Sequence, residues 1–158
     1  MTLSDIDTAP FQLRLSQELS VSPEAVFAEL ADPQRWIAWF PLMHQARWVS
    51  SLTHAVGAER EVSLYALGRF HERMLAWEPG GRLTFTMLAS TSPLASQMTE
   101  DHRLTRTPGG CTRFDYCAAI VPTALGKLAA PALRLTLQQL VTRAGKNLER
   151  VAKARAGS

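Results

Sequence analysis

The 158-residue sequence holds only two cysteines, Cys111 and Cys117. They lie in a segment that reads as one strand, which sets them about 20 Å apart at ~3.3 Å per residue. A disulfide needs Cα atoms within about 7 Å, so both are expected as free thiols. Their spacing does not suit a zinc knuckle, and His44, His54, His71 and His102 are scattered along the chain. Neither a metal nor a cofactor is therefore expected. No apolar run approaches the ~18 residues that span a bilayer. The N-terminal MTLSDIDTAPF lacks the basic segment and apolar run of a secretory signal, so a cytoplasmic location is the default expectation. No glycine-rich loop precedes a helix and no Gly-x-Ser-x-Gly elbow occurs, which removes phosphate cradles and serine-hydrolase chemistry from consideration.

What is present is an ordinary globular composition, 46% hydrophobic and 20% charged, in a length that fits one domain over residues 1–158. Acid is scarce in one region. From Lys127 onward, Lys127, Arg134, Arg143, Lys146, Arg150, Lys153 and Arg155 face Glu149 alone, while the chain as a whole carries +3. Such a basic C-terminal helix suits an anionic partner or peripheral contact with a membrane surface, without stable insertion. The simpler reading is a solvated face whose cations complement the helix dipole. No aromatics are interleaved with the charges, so nucleic acid is not an expected partner.

Hydrophobic periodicity orders the elements. FQLRLSQELS, residues 11–20, alternates Phe11, Leu13, Leu15, Gln17 and Leu19 against a polar set, as a strand would. Ser22 then caps a helix with Pro23 at its first position. A second short helix from Asp32-Pro33 carries Trp36, Ile37, Trp39 and Phe40 until Pro41. Six strands follow, near 44–50, 58–66, 69–78, 82–90, 96–106 and 111–121. Two Pro-Gly-Gly turns, at 78–81 and 107–110, join neighbours into an antiparallel meander. From Thr123 leucines recur at steps of three and four in one long amphipathic helix, with a kink or restart expected at Pro131. Gly145 within it implies a close approach to the sheet. The sum is an α+β architecture in which a long helix lies across a curved antiparallel sheet of seven strands.

VSPEAVFAELADPQRWIAWFP at 21–41, Val56-Gly57, FHERMLAWEPGGRLTF at 70–85 and GGCTRFDY at 109–116 carry a resemblance. The chain resembles the SRPBCC superfamily, also called START-like or Bet v 1-like, and within it the polyketide cyclase/dehydrase group. The resemblance implies a helix-grip fold with two short helices, a long C-terminal helix and a hydrophobic cavity beneath it. The implied partner is a small hydrophobic molecule: a lipid, an isoprenoid or an aromatic polyketide-like compound. The protein is then a binding or carrier protein, or alternatively a cyclase/dehydratase-type enzyme. A third reading, an interaction module, would use the basic helix.

Trp39, Leu64, Glu72, Met74, Phe85, Met87, Tyr116, Leu133 and Leu137 are the residues expected to line such a cavity. Glu72 is the candidate for chemistry, because it shares strand parity with Phe70, Met74 and Ala76. In a cavity it could anchor a ligand or move a proton; otherwise it needs a structural partner such as Arg60 or Arg113, or solvent. Tyr116 offers a hydroxyl from an apolar wall or simply packs. The tryptophans and methionines read either as core or as lining. Glu100 and His102 share parity and are expected as an exposed polar pair.

Overall fold

The computed structural model describes residues 1–157. The seven strands are β1 (Phe11–Leu19), β2 (Met43–Trp48), β3 (Glu59–Leu64), β4 (Gly68–Glu78), β5 (Arg82–Ser90), β6 (Ala95–Arg106) and β7 (Thr112–Pro122). The helices are α1 (Pro23–Ala31), α2 (Trp36–Trp39) and α3 (Ala124–Ala156), with 3-10 turns at Leu3–Asp5 and Pro33–Arg35. Every neighbouring strand pair is antiparallel, in the order β1-β7-β6-β5-β4-β3-β2. The meander thus runs from β2 to β7, and β1 closes the sheet against β7 with Phe11 opposite Ile120 and Leu19 opposite Thr112.

Local chemistry accounts for the boundaries. The Ser22 hydroxyl accepts from the Ala25 N–H at 3.3 Å, and Asp32 accepts from the Gln34 N–H at 2.9 Å. In both Pro-Gly-Gly turns the first glycine or its neighbour takes a left-handed φ, +72° at Gly80 and +79° at Gly110, which an L side chain resists. The sheet bends because register shifts interrupt the β2–β3, β4–β5 and β6–β7 ladders. They fall between Met43 and Gln45, between His71 and Glu72, between Met74 and Ala76, and between Ala95 and Gln97. Each bulge increases local twist, so the inner face becomes concave.

Helix α3 crosses that concave face. Of the kink or restart expected at Pro131, the restart does not occur: the helix is continuous from Ala124 to Ala156. Pro131 is exposed, so the Lys127 carbonyl it leaves unbonded can turn to water, and one lost hydrogen bond does not end a helix held at both ends.

The C-terminal part of α3 packs closely. Val141, Ala144, Gly145, Leu148 and Ala152 are buried. A Cβ added at Gly145 would lie 2.5 Å from Gln17 Oε1 and 2.9 Å from Leu15 Cδ2, so the close approach read from the sequence is present. Arg155 bonds the buried Glu29 of α1 at 2.6 Å, and Arg35 reaches the same carboxylate at 3.0 Å. At the other end, Thr123 Oγ1 donates to the Pro93 carbonyl at 2.6 Å, and Gly126 packs so tightly on the Leu94 backbone that a Cβ would collide with its carbonyl. The stretch between faces the cavity through Leu133 and Leu137, sets the Arg134 guanidinium 6.0 Å from the Phe11 ring, and reaches β1 through Gln138, whose Nε2 donates to the Arg14 carbonyl at 2.9 Å. Among the described residues no helix is long and apolar enough to cross a membrane.

Candidate functional site

Between the concave sheet and α3 lies a cavity of about 140 Å³. A cavity of this order admits a benzene-sized guest. Its two ends differ. Near Leu94, Ala95, Pro122 and Gly126 the lining is half-exposed and carries no charged side chain, Gly126 itself being buried. At the inner end Arg60, Glu72, Glu100 and Tyr116 converge, all buried. The ladder register separates the ends: Ala95 pairs with Pro122, and Glu100 with Ala118. Five residues of strand put them about 15 Å apart.

The inner cluster is built from strands β3 to β7. Arg60 sits directly opposite Glu72 in the β3–β4 register, and its Nε donates to Glu72 Oε2 at 2.7 Å. The guanidinium lies between two rings, 4.1 Å from the centroid of Trp36 and 4.2 Å from that of Phe85. Trp36 is itself fixed by donating its indole N–H to the Leu30 carbonyl at 2.9 Å. Burial pushes the Glu72 pKa up while Arg60 opposes that rise. Of the alternatives open in the sequence, the structure realises the Arg60 partnership: Glu72 faces inward but is already engaged.

Glu100 and His102 correct the expectation of an exposed pair, for both are buried. Register explains it. Glu100 is set opposite Phe85 and Ala118, and His102 opposite Leu83 and Tyr116, so their shared parity is the inward one. The outward residue between them, Asp101, is held by Arg82 at 2.7 Å, Arg103 at 2.7 Å and Thr84 at 2.6 Å. His102 stands among aromatic rings, with centroids of Tyr116 at 5.0 Å, Trp36 at 5.5 Å, Phe85 at 5.6 Å and Phe114 at 6.0 Å. Burial, assisted by Arg60, lowers its pKa to about 3, so it is neutral at physiological pH.

Glu100 has no such neutralising cation bonded to it. Its Oε2 is buried without a hydrogen-bond partner and lies 3.9 Å from His102 Nε2. Burial, followed by the neighbouring Glu72 charge, raises its pKa to about 8. The Tyr116 phenol interacts with this carboxyl, and burial followed by Glu100 pushes the phenol's own pKa far up. The cluster therefore joins the Arg60–Glu72 pair to an acid that keeps its proton past neutral pH, a neutral imidazole and a phenol.

Of the nine residues expected to line the cavity, Leu64, Glu72, Phe85, Tyr116, Leu133 and Leu137 do so. Trp39, Met74 and Met87 do not. Trp39 packs on Trp36 and Phe40, with centroids at 4.5 and 5.6 Å. It lines a separate void of about 10 Å³ together with His102. Trp36 and Phe40, four residues apart on the same face, take the cavity wall instead. Met74 lies wholly in the core, and Met87, opposite Glu72, is half-buried outside the lining. Arg60 and Glu100 are the functional residues absent from the sequence-based set. The signal for Glu100 was parity: Met98, Glu100, His102 and Leu104 share one face whose two ends are apolar. No group of three or more His, Cys, Asp or Glu side chains among the described residues could hold a metal ion, and both cysteines are free.

Comparison with known proteins gives the following. A family model described as "Polyketide cyclase / dehydrase and lipid transport" matches residues 10–153. An uncharacterized protein of Mycobacterium tuberculosis is 31% identical over 97% of this chain and 91% of its own length. An uncharacterized protein of Mycobacterium bovis matches equally. Among solved structures, TTHA0849 from Thermus thermophilus superposes with a TM-score of 0.76 at 16% identity, covering 92% of this chain and 99% of that one. The Zhui aromatase/cyclase from Streptomyces gives 0.73 at 14% identity, covering 92% and 95%. At these identities the structural likeness establishes the fold.

Proposed function

The chain belongs to the polyketide cyclase / dehydrase and lipid transport family of the SRPBCC superfamily, and we propose that it binds and carries one small hydrophobic molecule in the cavity under α3. The observation that supports this most is the cavity's polarity. Its walls are apolar, and its few polar groups are gathered at one buried end, the arrangement that orients a single guest. The enclosed space favours a compact isoprenoid or aromatic polyketide-like compound over an extended diacyl lipid.

Native mass spectrometry of the purified protein, followed by denaturation and identification of what is released, tests the proposal directly. Substitution provides the control. Ala118 is buried on the cavity wall, opposite Leu13 and Glu100 in the ladder. Ala118→Phe should cost less than the ~1–3 kcal/mol of overpacking in a filled core, because the ring enters open space. It should weaken binding of a hydrophobic probe at least about tenfold. A protein that retains nothing and takes up no apolar probe would end the carrier reading.

The basic helix has a place in the same proposal. Leu128 and Leu135 on α3 are 81% and 74% exposed, and Lys127 and Arg134 lie beside them in a stretch with no acid before Glu149. Exposed leucines among cations suit transient contact with an anionic bilayer during loading. Cosedimentation with phosphatidylserine-containing vesicles should be measurable at low salt. It should fall sharply at 0.5 M salt and in Leu128→Glu/Leu135→Glu; no sedimentation at low salt would remove the membrane from the proposal.

A further inference from the structure

The proposed guest leaves open what the inner cluster recognises. Two hydrogen-bond donors are left for a guest there. Arg60 uses Nε on Glu72 and retains its terminal N–H groups, and Glu100 in its acid form has an O–H, while the Tyr116 phenol is engaged with the Glu100 carboxyl. The ion pair of Arg60 and Glu72 is internally balanced, so a charged guest would bring an unpaired charge into a buried site. The guest's inner end is therefore uncharged. With donors in excess, it is an acceptor.

Glu100 is the donor with the least to lose. Arg60 is clamped between two rings and one carboxylate, whereas the Glu100 Oε2 has no partner. Carboxyl groups turn easily about their terminal torsion, so the acid can present its proton to the cavity it lines. An unsatisfied buried carboxyl is costly, and a guest oxygen would relieve that cost.

Resting on the proposed binding function, we infer that Glu100 is the recognition group for a carbonyl oxygen, and that the ligand is an uncharged apolar ketone, quinone or ester seated with that oxygen at the inner end. The groups that face Glu100 are Glu72 on β4, Arg60 on β3, His102 on β6 and Tyr116 on β7, while the α2 and α3 residues on the cavity are apolar. Ionisation of Glu100 therefore places a carboxylate, next to Glu72, where the carbonyl oxygen sits. Affinity for a carbonyl guest is present in the acid form and lost in the alkaline one.

Two nearly isosteric probes separate this inference from the binding function itself: acetophenone, which carries the carbonyl, and ethylbenzene, which does not. At pH 6 the wild-type protein should bind the ketone about tenfold more tightly, and the preference should disappear by about pH 9. Glu100→Gln keeps a donor that does not titrate, so its preference should persist across the range. Glu100→Leu should show none. The infrared carbonyl stretch of bound acetophenone should move to lower frequency in the wild type at pH 6, a readout that needs no variant. Equal affinity for the two probes, or an unshifted stretch, overturns the inference and leaves the carrier function standing. Failure of both probes to bind overturns the two together.

Discussion

Replacing Arg60 with methionine is expected to destabilise the protein by about 3–5 kcal/mol, the range for breaking one side of a buried ion pair. Arg60 is 1% exposed and Glu72 3%, so neither charge has water to fall back on. The guanidinium also gives up its contacts with Trp36 and Phe85, worth up to about 2 kcal/mol where desolvated. What remains is Glu72 beside Glu100, two carboxyls with no cation between them. They respond by holding protons, so the variant should come closest to wild type near pH 4.5 and fall furthest behind near pH 8. Arg60→Met combined with Glu72→Leu removes both charges and should recover most of the loss, since an apolar pair of similar volume replaces buried ions at little cost. Urea denaturation at both pH values measures this. An Arg60→Met protein as stable as the parent would show that the pair contributes nothing to the fold.

The second large effect is in the pH dependence of stability itself. Glu100 goes from an ordinary 4.5 to about 8 on folding. Between those values the native state holds a proton that the unfolded chain has released, so stability falls as pH rises, by at most about 1.4 kcal/mol per unit. Its contribution is complete below about 4.5 and lost by about 8. His102 goes the other way, from 6.5 to about 3. Here the unfolded chain holds the extra proton, so stability rises with pH across that window. The two slopes oppose each other between about 4.5 and 6.5, giving a plateau, and from about 6.5 to 8 the Glu100 contribution declines with no opposing slope from His102, Glu72 adding to the fall because its pKa is also raised by burial. Below the plateau the loss is steeper. Glu59, held low by Arg73, and Glu149, held low by Lys153, must protonate there as well. A thermal or urea series should therefore show a maximum near pH 4.5–6.5 and a decline towards pH 8. Glu100→Gln should remove most of the decline, leaving the share that belongs to Glu72, and His102→Gln should remove part of the acid-side rise. A wild-type curve that climbs from pH 6.5 to 8 would mean that Glu100 is ionised in the native state.

How these residues were legible in the sequence follows from what each signal encodes. Strand order, the two Pro-Gly-Gly turns and the inward face of Glu72 were readable because alternation specifies a face directly, as Phe70, Glu72, Met74 and Ala76 do on β4. Arg60 was readable as a possible partner and became one through register. Glu100-Asp101-His102 was not readable in the same way. Three polar residues in a row give no alternation of their own; only Met98 and Leu104 at the ends of the face mark it, and pairing with Phe85 and Tyr116 sets which residues turn inward. Trp39 was misplaced because a single helical turn, Trp36–Trp39, has too few residues to define a stripe. At Pro131 a local preference against helix was outweighed by anchors on either side, which no local window contains.

The way α3 is fastened has a kinetic consequence. Its two ends are tied to the body, by Thr123 on Pro93 and by Arg155 on Glu29, while the span across the cavity has one internal bond missing at Pro131 and rests on apolar contacts and one hydrogen bond, from Gln138 to the Arg14 carbonyl. Entry and exit of a guest then need only an outward bow of that span, with the ends in place and the sheet intact. Residence time becomes a property of a few helical turns and is uncoupled from the global unfolding rate. Selection could retune how long a ligand is held by changing the middle of one helix, leaving the thermodynamic stability of the rest of the fold untouched.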